Sequence, residues 1–309
     1  DVELGLVETS LDVSITGGAK VTTGSPEFGK RVTVSGSFSN TAPVTINELV
    51  VNSGTVTIGE KVKLAILTIN GGTVTNDSVI DGSTVTSFNL LAGGTFVNNG
   101  KFGFEGSSFT VGGRFVNNKT AADVDIYSAS TNSSFTVTGT YEGPITLEIA
   151  GDVYIRAGAT MDVSGDLTFR QLVSNGVLTV SGSGTTVTAE LGISSNTGSN
   201  LNLGEGVVVS ATQLLIFDRA QIDTAVFIEN LKGTSKYYLA IHTPYVNMGT
   251  DGAFLLSPGA YAQVYGYDIN RDTQRIWYSM HISDRDNVNK TVFYSSGDIY
   301  AVEYGGTGT

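Results

Sequence analysis

Short runs in which Val, Ile, Leu or Phe alternate with Thr, Ser or Asn recur along most of the chain, each ending in a glycine-centred corner. Leu-Val-Val-Asn-Ser-Gly-Thr-Val-Thr at 49 to 57 is echoed by Leu-Thr-Ile-Asn-Gly-Gly-Thr-Val-Thr at 67 to 75. Further copies begin at Leu90, Phe109 and Phe135, with weaker ones around Gly158 and Gly176. The corner glycines Gly54, Gly72, Gly94, Gly113, Gly139, Gly158 and Gly176 lie 18, 22, 19, 26, 19 and 18 residues apart.

A period of two marks strands with one inward and one outward face. Val56 and Ile58 alternate with Thr55 and Thr57, which predicts inward aliphatics and outward threonines; Leu49, Val51 and Ser53 share one parity, Val50 and Asn52 the other. Units of near-constant length without a helical period predict stacked rungs, each burying its apolar residues against the rungs above and below. The expected fold is therefore all-β, a parallel β-helix or solenoid, with a β-sandwich as the alternative that also produces short strands and Gly-rich turns. One stretch, Arg219 to Lys232, fits either a short helix or a strand.

The texture changes near residue 230, which divides the chain into an expected solenoid over 1–230 and an aromatic-rich closing or binding segment over 231–309. Of 13 tyrosines, only Tyr127, Tyr141 and Tyr154 precede this point; the single tryptophan, Trp277, and both histidines, His242 and His281, follow it. Tyr261, Gln263, Tyr265 and Tyr267 share one parity against Ala262, Val264 and Gly266. Placing the small apolar residues inward turns the tyrosines outward. By the same reasoning Ile276, Tyr278, Met280 and Ile282 form a core face, and Trp277, Ser279 and His281 face out. Exposed large rings imply a partner, and flat rings stack on the apolar faces of sugars; the alternative is that the rings form a β cap closing the last rung, or that some cap and others are exposed.

Composition narrows the partner. Charged residues are 15% of the chain and Gly 39 of 309, against about 25% and about 7% in average proteins. The net charge of -12 repels phosphate backbones and anionic lipid. Nucleic acid, membrane and acidic polysaccharide are disfavoured, and a neutral polysaccharide is not. No apolar run reaches the length of a membrane span. The composition points to an extracellular or cell-surface protein, and the start at Asp1 reads as a mature or trimmed fragment.

Cysteine is absent, so thiolate metal sites and cysteine nucleophiles are excluded. The two histidines lack partners at zinc-ligand spacing. Ser283 to Asn289 carries oxygen ligands at alternating positions, making Asp284, Asp286 and Asn287 candidates for a structural calcium, yet it lacks the Gly and distant Glu of an EF-hand loop. No other cofactor is expected. β-Helical pectin lyases and polygalacturonases set a comparison for catalysis: the Asp-Asp pairs, Gly-His-Gly and Arg-Ile-Lys of those hydrolases are missing, and Arg275-Ile276-Trp277 departs from the last of them. Asp268, Asp272, Asp284 and Asp286 are the carboxylates left for such a reading; the expectation is a non-catalytic protein.

A Cys-free Gly/Thr/Val β-helix followed by a tyrosine-rich closing segment resembles the tāpirins, cell-surface cellulose-binding proteins of plant-degrading thermophilic bacteria. The resemblance implies an adhesin that holds crystalline cellulose through an exposed aromatic face. Carried onto this sequence, that face comprises Tyr261, Tyr265, Tyr267 and Trp277, with Tyr237, Tyr245 and Tyr300 around them. The rival reading is a structural or protein-binding surface adhesin in which the solenoid is a stalk; a β-helical polysaccharide-cleaving enzyme is the third.

Overall fold

The computed structural model describes residues 2–4, 12–23, 28, 30–81, 86–228, 238–241, 246–248, 253–256, 261–267, 275–281 and 291–293. The chain forms two compact units, Asp1–Phe169 and Arg170–Thr309. Both are built as a parallel β-solenoid, as the repeat predicts, and not as a sandwich.

In the first unit each rung contributes one strand to each of three stacked rows. Leu49 pairs with Leu67 and Val51 with Ile69 in one row, and Thr55 pairs with Thr73 in the next. Every described strand pairing within this unit is parallel. Parallel stacking repeats at about 4.8 Å, which is also a favourable separation for aromatic rings. In-register phenylalanines therefore pile up. Phe88 lies 4.4 Å from Phe109 and Phe109 lies 4.8 Å from Phe135, both nearly coplanar. A second pile runs Phe96, Phe115, Tyr141 at 4.8 and 4.7 Å. All six rings are buried.

Polar residues in the interior are also stacked. Asn76 donates to Oδ1 of Asn98 at 2.7 Å, and Asn98 donates to Oδ1 of Asn117 at 3.0 Å. The ladder ends where Asn117 donates to the carbonyl of Pro144 at 2.7 Å. It begins at Asn76 because the rung below offers Ile58, which has no donor. Buried amides in such a core are as a rule satisfied by neighbours; among the described residues the exception is Oδ1 of Asn76, which has no hydrogen-bond partner at the start of the ladder. The corners tolerate little more: a Cβ on Gly54 would collide with the carbonyl oxygen of Gly36.

Two sequence expectations change at these corners. Val50 is buried, at 5% exposure, although it takes the alternate position to Leu49 and Val51, while Ser53 is exposed. Parity is not transmitted past the turn at Ser53 and Gly54, and the rungs on either side of Val50 set Thr33 and Thr68 against it in the same row. The copy beginning at Leu90 is also displaced: Leu90 pairs with Ile69, and the register shifts between Leu90 and Gly93. Leu91 is pushed outward there and stands 45% exposed.

The second unit repeats the three-row plan. Ile193, Leu214, Leu239 and Ala262 follow one another along one row. Leu201, Ala220 and Val246 follow along another, and Val209, Val226 and Phe254 along the third. Arg219–Ile222 and Ala225–Ile228 are both strands, so the ambiguous stretch is β as far as it is described. Parallel pairing continues through the change of composition at 230 and reaches Tyr261–Tyr267. There the direction reverses: Arg275–His281 pairs antiparallel with Tyr261–Tyr267, and Thr291–Phe293 with Ala253–Leu256. A last rung otherwise leaves open strand edges, and these antiparallel partners occupy two of them.

Candidate functional site

The reversal sets the aromatic positions opposite one another. In the hairpin of Tyr261–Tyr267 and Arg275–His281, Tyr265 stands directly across from Trp277, Tyr261 from His281 and Tyr267 from Arg275. Residues directly opposite in an antiparallel pair share a face. The parity carrying three tyrosines on one strand thus coincides with the parity carrying Trp277 and His281 on the other. Ala262 pairs with Met280, Val264 with Tyr278 and Gly266 with Ile276 on the alternate parity.

The row that leads into the hairpin carries a buried parity. Leu214 and Leu239 are buried, at 0% and 1% exposure, and Leu239 pairs with Ala262. Ala262 and Met280 therefore continue the Leu214 and Leu239 positions. The row beside it runs Gln213, Tyr238, Tyr261, His281, and Gln213 is partly exposed.

A groove that the sequence pattern did not single out lies on the same row. It has a volume of about 240 Å³ and is lined by Gln171, Leu191, Gly192, Ser194, Gln213 and Leu215 among others. It forms because strand Thr186–Ser195 turns a corner in mid-course: its first half pairs with Val208–Ala211 and its second half with Gln213–Ile216. Gly192, at φ +124°, occupies that corner. A Cβ there would lie 2.6 Å from the carbonyl oxygen of Gln213. The corner is locked by Thr212, whose hydroxyl donates to the carbonyl of Glu190 at 2.8 Å.

The lining carries no charge. Leu191 is 41% exposed, and Ser194 donates to Oδ1 of Asn196 at 2.9 Å. Among the described residues the side-chain amides of Gln171 and Gln213 have no hydrogen-bond partner. The one sequence signal for this site is the break in alternation at Leu191-Gly192 between Thr186 to Ala189 and Ile193 to Ser195.

The remaining sequence candidates fall elsewhere. Tyr237, Tyr245 and Tyr300 lie outside the described residues, as do Asp284, Asp286 and Asn287 of the calcium reading and the carboxylates Asp268 and Asp272. Of the three early tyrosines, Tyr141 is a core ring, whereas Tyr127 is 39% exposed. Tyr154 holds the Arg156 guanidinium 4.8 Å over its ring and donates to Asp152 at 2.9 Å. Among the described residues no group of three or more His, Asp or Glu is placed to hold a metal ion.

Comparison with protein-family models, with curated proteins and with solved structures finds no match to this chain.

Proposed function

We propose that this chain is a non-catalytic, extracellular adhesin that binds a neutral insoluble polysaccharide, cellulose foremost, through the aromatic positions Tyr261, Tyr265, Tyr267 and Trp277. The observation that carries the reading is the hairpin register, in which Tyr265 opposes Trp277. The alternate parity continues from buried Leu239, which supports an outward-facing aromatic parity. A β-sheet supplies a flat, rigid support, so rings along it match the flat ribbon of a β-linked glycan. Rings of this kind lose little conformational entropy on binding and stack on the apolar faces of pyranose rings. The net charge of -12 offers no penalty to an uncharged chain and repels an acidic one.

Tyr237, Tyr245 and Tyr300 belong to the same proposal as flanking rings. The test is retention of the purified protein on microcrystalline cellulose, with xylan, chitin and pectin in parallel, for the wild type and a Tyr265→Ala/Trp277→Ala double variant. The reading requires retention on cellulose that the folded double variant loses. Retention on none of the four overturns it and puts the stalk or protein-binding adhesin first.

A further inference from the structure

We infer that the glycan crosses the strands of the second unit instead of running along the hairpin, and that the groove at Leu191, Gly192 and Gln213 is a distal subsite for the same chain. This rests on the function proposed above and specifies how the ligand lies.

One row of positions runs unbroken from the groove to the hairpin. Gly192 abuts Gln213, Gln213 pairs with Tyr238, Tyr238 with Tyr261 and Tyr261 with His281. Beside it, Ser194 pairs with Leu215, Leu215 with Ala240, Ala240 with Gln263 and Gln263 with Ser279. Four strand spacings of about 4.8 Å make this path about 19 Å long, enough for several consecutive sugar rings. Both rows lie on the parity alternate to buried Leu214 and Leu239.

The groove at the far end has the chemistry a sugar requires. Exposed Leu191 and partly exposed Leu215 offer an apolar platform. The amides of Gln171 and Gln213, without partners among the described residues, can each donate to and accept from ring hydroxyls. Gly192 lines the groove where a Cβ would lie 2.6 Å from the Gln213 carbonyl oxygen, so this position takes only glycine. No charged side chain lines the groove, so it suits an uncharged ligand.

The experiment is calorimetric titration of the full chain with cellotriose and with cellohexaose. Wild type binds the longer oligosaccharide more tightly, because only it reaches from the hairpin to the groove. A Leu191→Ala/Gln213→Ala variant loses about tenfold in cellohexaose affinity, a factor equal to 1.4 kcal/mol, and keeps its cellotriose affinity. Gln171→Ala, which alters one partly exposed side chain, shows the same selectivity with a smaller loss and serves if the double variant fails to fold. Tyr265 and Trp277 are the next opposed pair on the same parity beyond Gln263 and Ser279 and flank the hairpin end of the path, so a Tyr265→Ala/Trp277→Ala variant weakens both ligands. Equal wild-type affinity for the two lengths, or groove variants that leave cellohexaose unaffected or weaken both lengths alike, overturn the inference while the aromatic variant's loss leaves the proposed function standing. Binding of neither oligosaccharide and no retention on cellulose overturn both.

Discussion

Asn98 donates to Oδ1 of Asn117 at 3.0 Å and accepts from Asn76 at 2.7 Å, so one buried amide joins three successive rungs. Removing it leaves a donor on Asn76 and an acceptor on Asn117 without their ladder partner in the core. An unsatisfied buried polar group costs about 1–3 kcal/mol, so Asn98→Ala lowers the unfolding free energy by an amount in that range or somewhat above it. Asn99, next in sequence, bridges Asp77 and Asn118 in an exposed ladder. Asn99→Ala therefore costs about 0.5 kcal/mol or less. Urea denaturation of both variants measures the contrast.

The glycine corners make a second comparison. Gly54 and Gly158 have nearly the same backbone conformation, φ +83° and +80°. A Cβ on Gly54 meets the Gly36 backbone, whereas one on Gly158 meets nothing within 4 Å. Gly158→Ala carries only the left-handed conformational cost of roughly 1–2 kcal/mol. Gly54→Ala adds a clash between rungs that the stacked backbone cannot relieve locally, and its thermal midpoint falls further. Equal shifts for the two variants would show that rung contact does not limit the corner.

Tyr141 gives the fold an alkaline sensitivity. Burial against the Phe115 ring raises its phenol well above the ordinary value, because desolvation disfavours the phenolate. The native state thus holds the proton more tightly than the unfolded chain. That contribution is complete below about pH 10 and is lost as pH rises toward the folded value. Tyr141→Phe keeps the stacked ring and gives up only a 3.4 Å contact from the hydroxyl to the Pro144 carbonyl. Its stability at pH 7 stays within about 1 kcal/mol of wild type, and its urea midpoint declines less steeply above pH 10.

Much of the fold was legible because a parallel, in-register stack writes its contacts as repetition. Phe109-Thr110-Val111 and Phe135-Thr136-Val137 lie one above the other, and the sequence echo between them is that contact. The same logic located the alternation of Val56 and Ile58 with threonines. It failed where a side chain's environment comes from neighbouring rungs and not from its own strand. Val50 reads as outward yet is buried between Thr33 and Thr68. The paired parities of Tyr265 and Trp277 follow from alternation in each strand, but their being opposite one another depends on the hairpin register. The groove at Leu191 depends on Gly192 meeting Gln213 across a full rung, a distance at which alternation within one strand carries no information. The buried asparagine ladder escaped for a similar reason, since Val-Asn-Asn repeats look equally suited to a turn.

The proposed aromatic face can be tested directly because Trp277 is the only tryptophan in the chain, so intrinsic fluorescence reports from that position alone. Titration with cellohexaose is the most direct test of glycan binding at the Tyr265 and Trp277 pair. A saturable change in tryptophan emission, weakened in Tyr265→Ala, is the result expected when a sugar ring stacks there. Emission that stays constant at oligosaccharide concentrations that displace the protein from cellulose would place the binding site away from Trp277 and contradict the account.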